Sequence, residues 1–246
     1  MPADRDPAHL GAVPIEDYGL IGDTRTAALV APDGSIDWMC IPRFDRHPVF
    51  ARLVGGAAAG HFRLGPAARA RVIERSYRPD SATLETTWET TRGRLRLTEG
   101  MVSEVSGRLL PSTLLVRRLT AEGGAVEAVV DFDPRLGEHH RRPRVDHRDD
   151  GRGDGRRALV VCSWPTIALA LGATPAIAIE PGQPTIVTVT PERPLTVVLA
   201  VADREPLVYV DPDAAWAALG ADETRWRAWC GDIDGGLPHR DMVVRS

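Results

Sequence analysis

From Ile15 to about Val210 the chain is written in short runs of alternating apolar residues, each closed by Gly, Pro or Asp. A period of two places every second side chain on one face, so each run reads as a strand with a buried side. Many such runs at close spacing predict an all-β fold, a large antiparallel β-sandwich. The runs are His61–Leu64, Arg71–Tyr77, Thr83–Thr90, Gly93–Thr98, Thr113–Leu119, Val126–Asp133, Ala158–Trp164, Ile167–Leu171, Thr185–Thr190 and Leu195–Val201. Val126, Ala128, Val130 and Phe132 alternate with polar neighbours, as in a half-buried strand, whereas Leu195–Val201 is apolar on both faces and so reads as central.

The clearest hairpin joins Thr26–Val30 to Ser35–Cys40 through Pro32-Asp33-Gly34. Proline presets the first turn dihedral, aspartate bonds locally and glycine accepts a positive φ. In its second arm, strict alternation puts Ile36, Trp38 and Cys40 on one face and Asp37 and Met39 on the other.

After Val210 the period changes. Asp211 followed by Pro212 is an N-cap with proline at the first helical position, and Trp216, Leu219, Trp226 and Trp229 recur at roughly helical spacing, with Gly220 as a possible disturbance. The division that follows is a flexible leader over 1–14, a β-sandwich domain over 15–210 and a C-terminal linker helix over 211–230. Between Pro134 and Arg157 the chain is Arg, Asp, His and Gly with almost no large apolar residue, and reads as a long mobile loop.

Composition narrows the chemistry. Apolar residues are 43% and charged residues 26% of 246, ordinary for a globular chain, and the net charge of -4 offers no broad attraction to nucleic acid or an anionic membrane. Neither is expected as a partner. Lysine is absent, which excludes a Schiff-base lysine, a Walker phosphate loop and a Ser-Lys dyad. Cys40, Cys162 and Cys230 are odd in number and set among apolar or aromatic residues, so they read as buried, reduced thiols. With no apolar signal segment and no run of 18 uncharged apolar residues, the expected location is cytoplasmic.

No metal or cofactor is expected. His139, His140 and His147 could ligate a metal but lie among arginines without Cys or carboxylate at metal-site spacing, and a solvated loop is the favoured reading. The glycines of 55–60 and 151–155 lack a strand-to-helix context for phosphate and read as loops. An intrinsic catalytic carboxylate pair is not singled out by any spacing. Asp37, Trp38, Arg43, Phe44 and Asp45 are the substrate-contact candidates, because aromatic faces stack on sugar rings while Arg and Asp bond hydroxyls directionally. The competing and favoured reading is a core tryptophan plus an Arg-Asp pair that locks a loop.

The strings Ile15-Glu16-Asp17-Tyr18-Gly19-Leu20-Ile21-Gly22-Asp23, Asp33-Gly34-Ser35-Ile36-Asp37-Trp38-Met39-Cys40-Ile41-Pro42-Arg43-Phe44-Asp45 and Leu84-Glu85-Thr86-Thr87-Trp88 resemble the opening of family 15 glycoside hydrolases of the bacterial trehalase and glucoamylase type. The resemblance implies a β-sandwich that precedes an (α/α)6 barrel, whose two glutamates hydrolyse α-glucosidic bonds with inversion. Neither glutamate has a counterpart here, so no catalytic residue is assigned, and activity of this chain alone is not expected. Residues 231–246 resemble a stub of the first helix of that missing barrel.

The resemblance therefore implies a non-catalytic domain that docks on and supports the barrel, in the parent protein or in trans, and could lend a loop to its α-glucoside pocket. Trp216, Trp226 and Trp229 are the docking candidates. The rival is a free-standing carbohydrate-binding or protein-interaction sandwich, and a self-sufficient hydrolase is the least favoured. A bare aromatic helix would speak for a partner, and a helix folded on its own sheet for autonomy.

Overall fold

In a computed structural model, which describes residues 13–105, 108–149 and 159–245, the chain forms two antiparallel sheets that face each other, with one long helix near the C-terminus. The expected leader falls outside the described residues up to residue 12, as do the glycines of 151–155. The fold is the all-β sandwich that the period of two requires.

One sheet holds β1 (Gly19–Gly22), β2 (Ala27–Val30), β3 (Ser35–Cys40), β5 (His61–Pro66), β10 (Val126–Asp133) and β14 (Thr185–Val189) in that spatial order, with β4 (Pro48–Phe50) on β3. The other runs β11 (Arg144–Arg148), β12 (Leu159–Ser163), β13 (Ile167–Thr174), β15 (Leu195–Asp203), β9 (Arg108–Glu122), β8 (Gly93–Val105), β7 (Leu84–Thr90) and β6 (Arg71–Tyr77). The strand β11 corrects the reading of 134–157 as one long loop. Its charged residues sit at a sheet edge, where only Val145 touches the core, so no apolar pattern announces it.

The inner faces bury Ile21, Val30, Phe62, Leu64, Trp88, Leu97, Phe132 and Leu199, among others. Phe50, Phe62 and Phe132 form a ring cluster with centroids 5.2–6.1 Å apart, in the tilted and edge-on geometries that aromatic quadrupoles favour. Strand β15 is central, as its two-sided apolarity requires. Val197, Leu199 and Val201 enter the main core, while Val198 and Ala200 enter a second core on the sheet's outer side.

Gly34 closes the β2–β3 hairpin at φ 79°, where a Cβ would come within 2.1 Å of the Leu64 carbonyl oxygen. The second core lies under α2 (Pro212–Gly231), which presents Ala215 and Leu219 to Val102, Leu114, Val116 and Val198. The helix runs unbroken through Gly220. A short α1 (Arg52–Gly55) follows β4, and a short α3 (Arg240–Arg245) ends the described chain. No helix among the described residues is long and apolar enough to cross a membrane.

Candidate functional site

The hairpin arm that carries the longest motif does not alternate as expected. Leu29 pairs with Trp38 but Val30 with Ile36, which makes Asp37 the extra residue of a β-bulge. The bulge lets both Ile36 and Met39 reach the core and leaves Asp37 and Trp38 together on the outer side. Strict alternation had paired Ile36 with Trp38 and Cys40. A one-residue slip exchanges faces, which is how the bulge overturns that expectation.

The Asp37 carboxylate is buried and fully engaged. It accepts from the Tyr18 hydroxyl at 2.8 Å and the Ser35 hydroxyl at 2.5 Å, and Arg52 of α1 lies 3.8 Å away. Burial, then the hydrogen bond to Asp37, pushes the Tyr18 phenol well above its usual range. On the same face Arg63 meets Asp33 at 3.2 Å and His61 meets Asp131 at 2.9 Å, a bond that holds Asp131 below the usual carboxylate range. The outer face of this sheet is therefore a network of partly buried ions around Asp37. Tyr18, Ser35 and Arg52, its partners, were not singled out from sequence. Tyr18 lies in the quoted opening string, but no spacing rule ties it to Asp37.

Arg43, Phe44 and Asp45 stand apart from that network, on the exposed loop between β3 and β4. Arg43 pairs with Asp45 at 3.1 Å, Phe44 is 71% exposed, and the Phe44 amide donates to the Arg25 carbonyl in the β1–β2 turn. The candidates thus split: Asp37 is buried, Trp38 is half-buried on the outer face, and Arg43 to Asp45 project to solvent. The charge of Asp45 reaches back to Cys40, whose thiol is raised first by burial and then by that charge. Two surface grooves, of about 510 and 490 Å³, are lined by other residues, Arg144, Arg148 and Tyr209 in one and Tyr18, Arg75 and Tyr77 in the other.

The helix α2 is fixed to its own sheet by polar contacts as much as by apolar ones. Asp211 caps it, accepting from the amides of Asp213 and Ala214. Asp222 accepts from the Ser103 amide and hydroxyl at 3.0 Å, and Arg225 closes that cluster. Glu223 meets Arg78 at 3.1 Å and Arg227 at 3.0 Å. Trp216 is half-buried, with the guanidinium groups of Arg118 and Arg78 over its ring at 4.8 and 5.8 Å. The docking candidates are therefore not alike: Trp216 is engaged by this chain's own sheet. Trp226, with the Arg225 guanidinium 5.0 Å over its ring, meets Trp229 edge to face at 5.7 Å, and Trp229 is 54% exposed although Cys230 beside it is buried and its carbonyl accepts from Arg240. Leu237 and Met242 are also exposed at this end, 42% and 66%.

The three cysteines are buried and unpaired. Among the described residues no three His, Cys, Asp or Glu side chains are grouped to hold a metal. His147 pairs with Glu180 on the edge strand β11.

Fold and site together define a two-sheet β-sandwich domain closed on one side by its C-terminal helix. Residues 9–216 match the family described as Trehalase-like, N-terminal, and the chain belongs to that family. It is 31% identical over 172 residues to a trehalase of Mycolicibacterium smegmatis, covering 63% of this chain and 26% of that protein. A trehalase of Mycobacterium tuberculosis is 34% identical over 140 residues, covering 51% and 20%. A trehalase of Thermoplasma volcanium is 28% identical over 140 residues, covering 56% and 22%. The matched portion is thus about a fifth to a quarter of each relative's length. A putative kojibiose phosphorylase from human microbiome overlaps 91% of this chain and 34% of its own, at 9% identity and a TM-score of 0.37, too weak a likeness to bear on the fold.

Proposed function

We propose that this chain is the non-catalytic N-terminal domain of a trehalase-like inverting α-glucoside hydrolase of the family 15 type, and that it docks on and supports an (α/α)6 catalytic barrel. The observation that carries the reading is the family match over 9–216 in a chain that aligns with only the smaller part of whole trehalases. The docking surface is the exposed side of the last turns of α2, with Trp226 and Trp229, together with residues 231–246. The loop Arg43–Asp45 is the segment offered to the substrate pocket. The substrate class, α-glucosides, follows from the relatives' name of trehalase, and the three unpaired thiols support a reducing, cytoplasmic location.

Each tryptophan can bury about 150–250 Å², so covering Trp229 and the free side of Trp226 offers several kcal/mol at about 25 cal/mol per Å². Association costs offset part of that. The test is to mix the chain with a separately expressed family 15 barrel and to measure complex formation and trehalose hydrolysis. A complex that raises the barrel's solubility or activity, weakened by Trp226→Ala with Trp229→Ala, is expected. Absence of binding sinks docking. A second reading, a free-standing carbohydrate-binding module, is favoured by the way Asp222, Glu223 and Trp216 fasten α2 to its own sheet. Binding of an α-glucoside by the chain alone, with no affinity for the barrel, would establish it.

A further inference from the structure

Among the described residues the main paths of the two sheets end in four edge strands, three of them guarded against further pairing, while the outer carbonyls of the short β4 are taken by the amides of Arg135 and Gly137. At β1 the Tyr77 hydroxyl accepts from the Leu20 amide at 2.7 Å and donates to the Leu20 carbonyl at 2.9 Å, plugging that edge with a side chain. The edges β6 and β11 carry Arg71, Glu74 and Arg75, and Arg144, Asp146, His147 and Arg148. Charges on an edge are the usual guard against strand addition.

The fourth edge, β14, carries neither a plugging side chain nor a charge, and its flanking Pro184 and Pro191 leave the five strand residues between them open. Its sequence, Thr185-Ile186-Val187-Thr188-Val189, is entirely β-branched, and no charged residue occurs from 181 to 191. The direction of its free backbone groups follows from its neighbours. The Ala67 amide donates to the Glu127 carbonyl, so Glu127 and every second residue of β10 face β5, while Ala128 and Val130 face β14. The Gly182 amide, which donates to the Phe132 carbonyl, agrees. Ala128 pairs with Val187 and Val130 with Thr185, so Ile186 and Thr188 turn their N–H and C=O groups outward. Neither group has a hydrogen-bond partner among the described residues.

We infer that β14 is a self-association edge, where a second copy of this chain adds antiparallel about a two-fold axis at Val187. The strand fits itself. In that register Ile186 lies opposite Thr188 of the second copy, so each outward residue meets an outward residue and both symmetry-related pairs exchange two hydrogen bonds. Val187 faces its own copy in the close, non-hydrogen-bonded position, and every cross-strand pair is β-branched. No like charges meet, because the segment carries none. Ile186, 56% exposed, packs along the second copy's Thr188. Two five-residue strands bury far less than the roughly 1,200 Å² of a standard interface, so the dimer is weak and depends on concentration.

Sedimentation velocity of the whole chain over a wide concentration range tests this, with hydrogen exchange followed at single amides. The sedimentation coefficient should rise from monomer to dimer, and the Ile186 and Thr188 amides should slow as the dimer fills. Thr188→Pro removes an outward N–H that no intrachain bond uses, and should weaken association by at least about tenfold while circular dichroism stays unchanged. Ile186→Glu, at an exposed position, does the same by charge repulsion, and serves if the proline variant misfolds. A monomer at all concentrations overturns the inference. So does a dimer that ignores both substitutions, or one in which those two amides exchange as fast as in the monomer.

Discussion

Two arginine–carboxylate pairs of nearly the same chemistry have opposite fates. Arg43 and Asp45 meet at 3.1 Å on the β3–β4 loop with side chains 58% and 47% exposed. Arg117 and Glu99 meet at 2.7 Å between the sheets, both fully buried. Arg117 also donates to the carbonyls of Phe62 and Gly34 and stacks 4.7 Å over the Phe62 ring. It stands on β9 of one sheet and bonds β5 and the β2–β3 turn of the other, so it acts as a pin through the sandwich. Burial raises the Glu99 carboxyl against the pull of Arg117 and lowers the Arg117 guanidinium, the signature of a pair that is costly to hold and more costly to break. The same two residue types thus serve architecture in one place and remain available to a partner in the other.

The largest effect should come from breaking the inner pair. Glu99→Ala leaves a buried guanidinium without its counter-charge, and about 3–5 kcal/mol should be lost in urea unfolding. That is a large share of the 5–15 kcal/mol typical of a domain. Replacing both partners, Glu99→Leu with Arg117→Met, should restore part of the loss but not all, because the carbonyls of Phe62 and Gly34 lose the bonds that tie them to β9, although Gly34 keeps the Leu64 amide. A single variant within 1 kcal/mol of the parent would refute the pin.

Next is the anchor of α2. Asp222→Ala strands the buried Ser103 amide, at about 1–3 kcal/mol, and should loosen the helix before the sheets. Hydrogen exchange that speeds across Pro212–Gly231 while β15 stays protected is the expected pattern. Uniform acceleration would mean that the helix and sheets unfold together.

Smaller still is the Tyr18–Asp37 bond. Tyr18→Phe should cost about 1 kcal/mol at neutral pH. Its folded pKa lies above the unfolded value of about 10. The bond's stabilisation is therefore fully present below pH of about 10 and is lost as pH rises through the folded value, since only the unfolded state has released the proton. Stability of the parent should fall more steeply than that of the variant above pH of about 10. Parallel curves would show that Tyr18 does not titrate with unfolding.

The sequence made the inner architecture legible wherever the period of two was kept. Val126 to Phe132 and Leu195 to Val201 take the positions their alternation demands, and Asp211-Pro212 opens a helix as its capping chemistry requires. It concealed what depends on register or on distant pairing. The bulge at Asp37 inverts the faces of Trp38 and Met39 without any glycine or proline to signal it. Arg117 reads as one more charge in Arg117-Arg118, and its burial is decided by Glu99, 18 residues away on the neighbouring strand. Trp216 and Trp229 look alike on the helix, and contact with the second core and with Arg78 and Arg118 separates them. The candidate site was legible as a string of residues but not as two environments.

The smallest effect on stability should come from the outer pair, and that makes it the most informative about function. An exposed ion pair contributes about 0–1 kcal/mol, so Arg43→Ala with Asp45→Ala should leave the urea midpoint nearly unchanged. The Phe44 amide still holds the loop to the Arg25 carbonyl in this variant, and the loop should keep its course. In the proposed complex with a family 15 barrel the same variant should lower kcat/KM for trehalose by roughly tenfold, about 1.4 kcal/mol of transition-state stabilisation. The assay separates the two readings of this loop, because a pair that only clasps the loop would alter neither the complex nor its rate. Unchanged kcat/KM in a fully formed complex would remove Arg43 and Asp45 from the substrate pocket. Lost complex formation would instead make the loop part of the docking surface, in addition to Trp226 and Trp229.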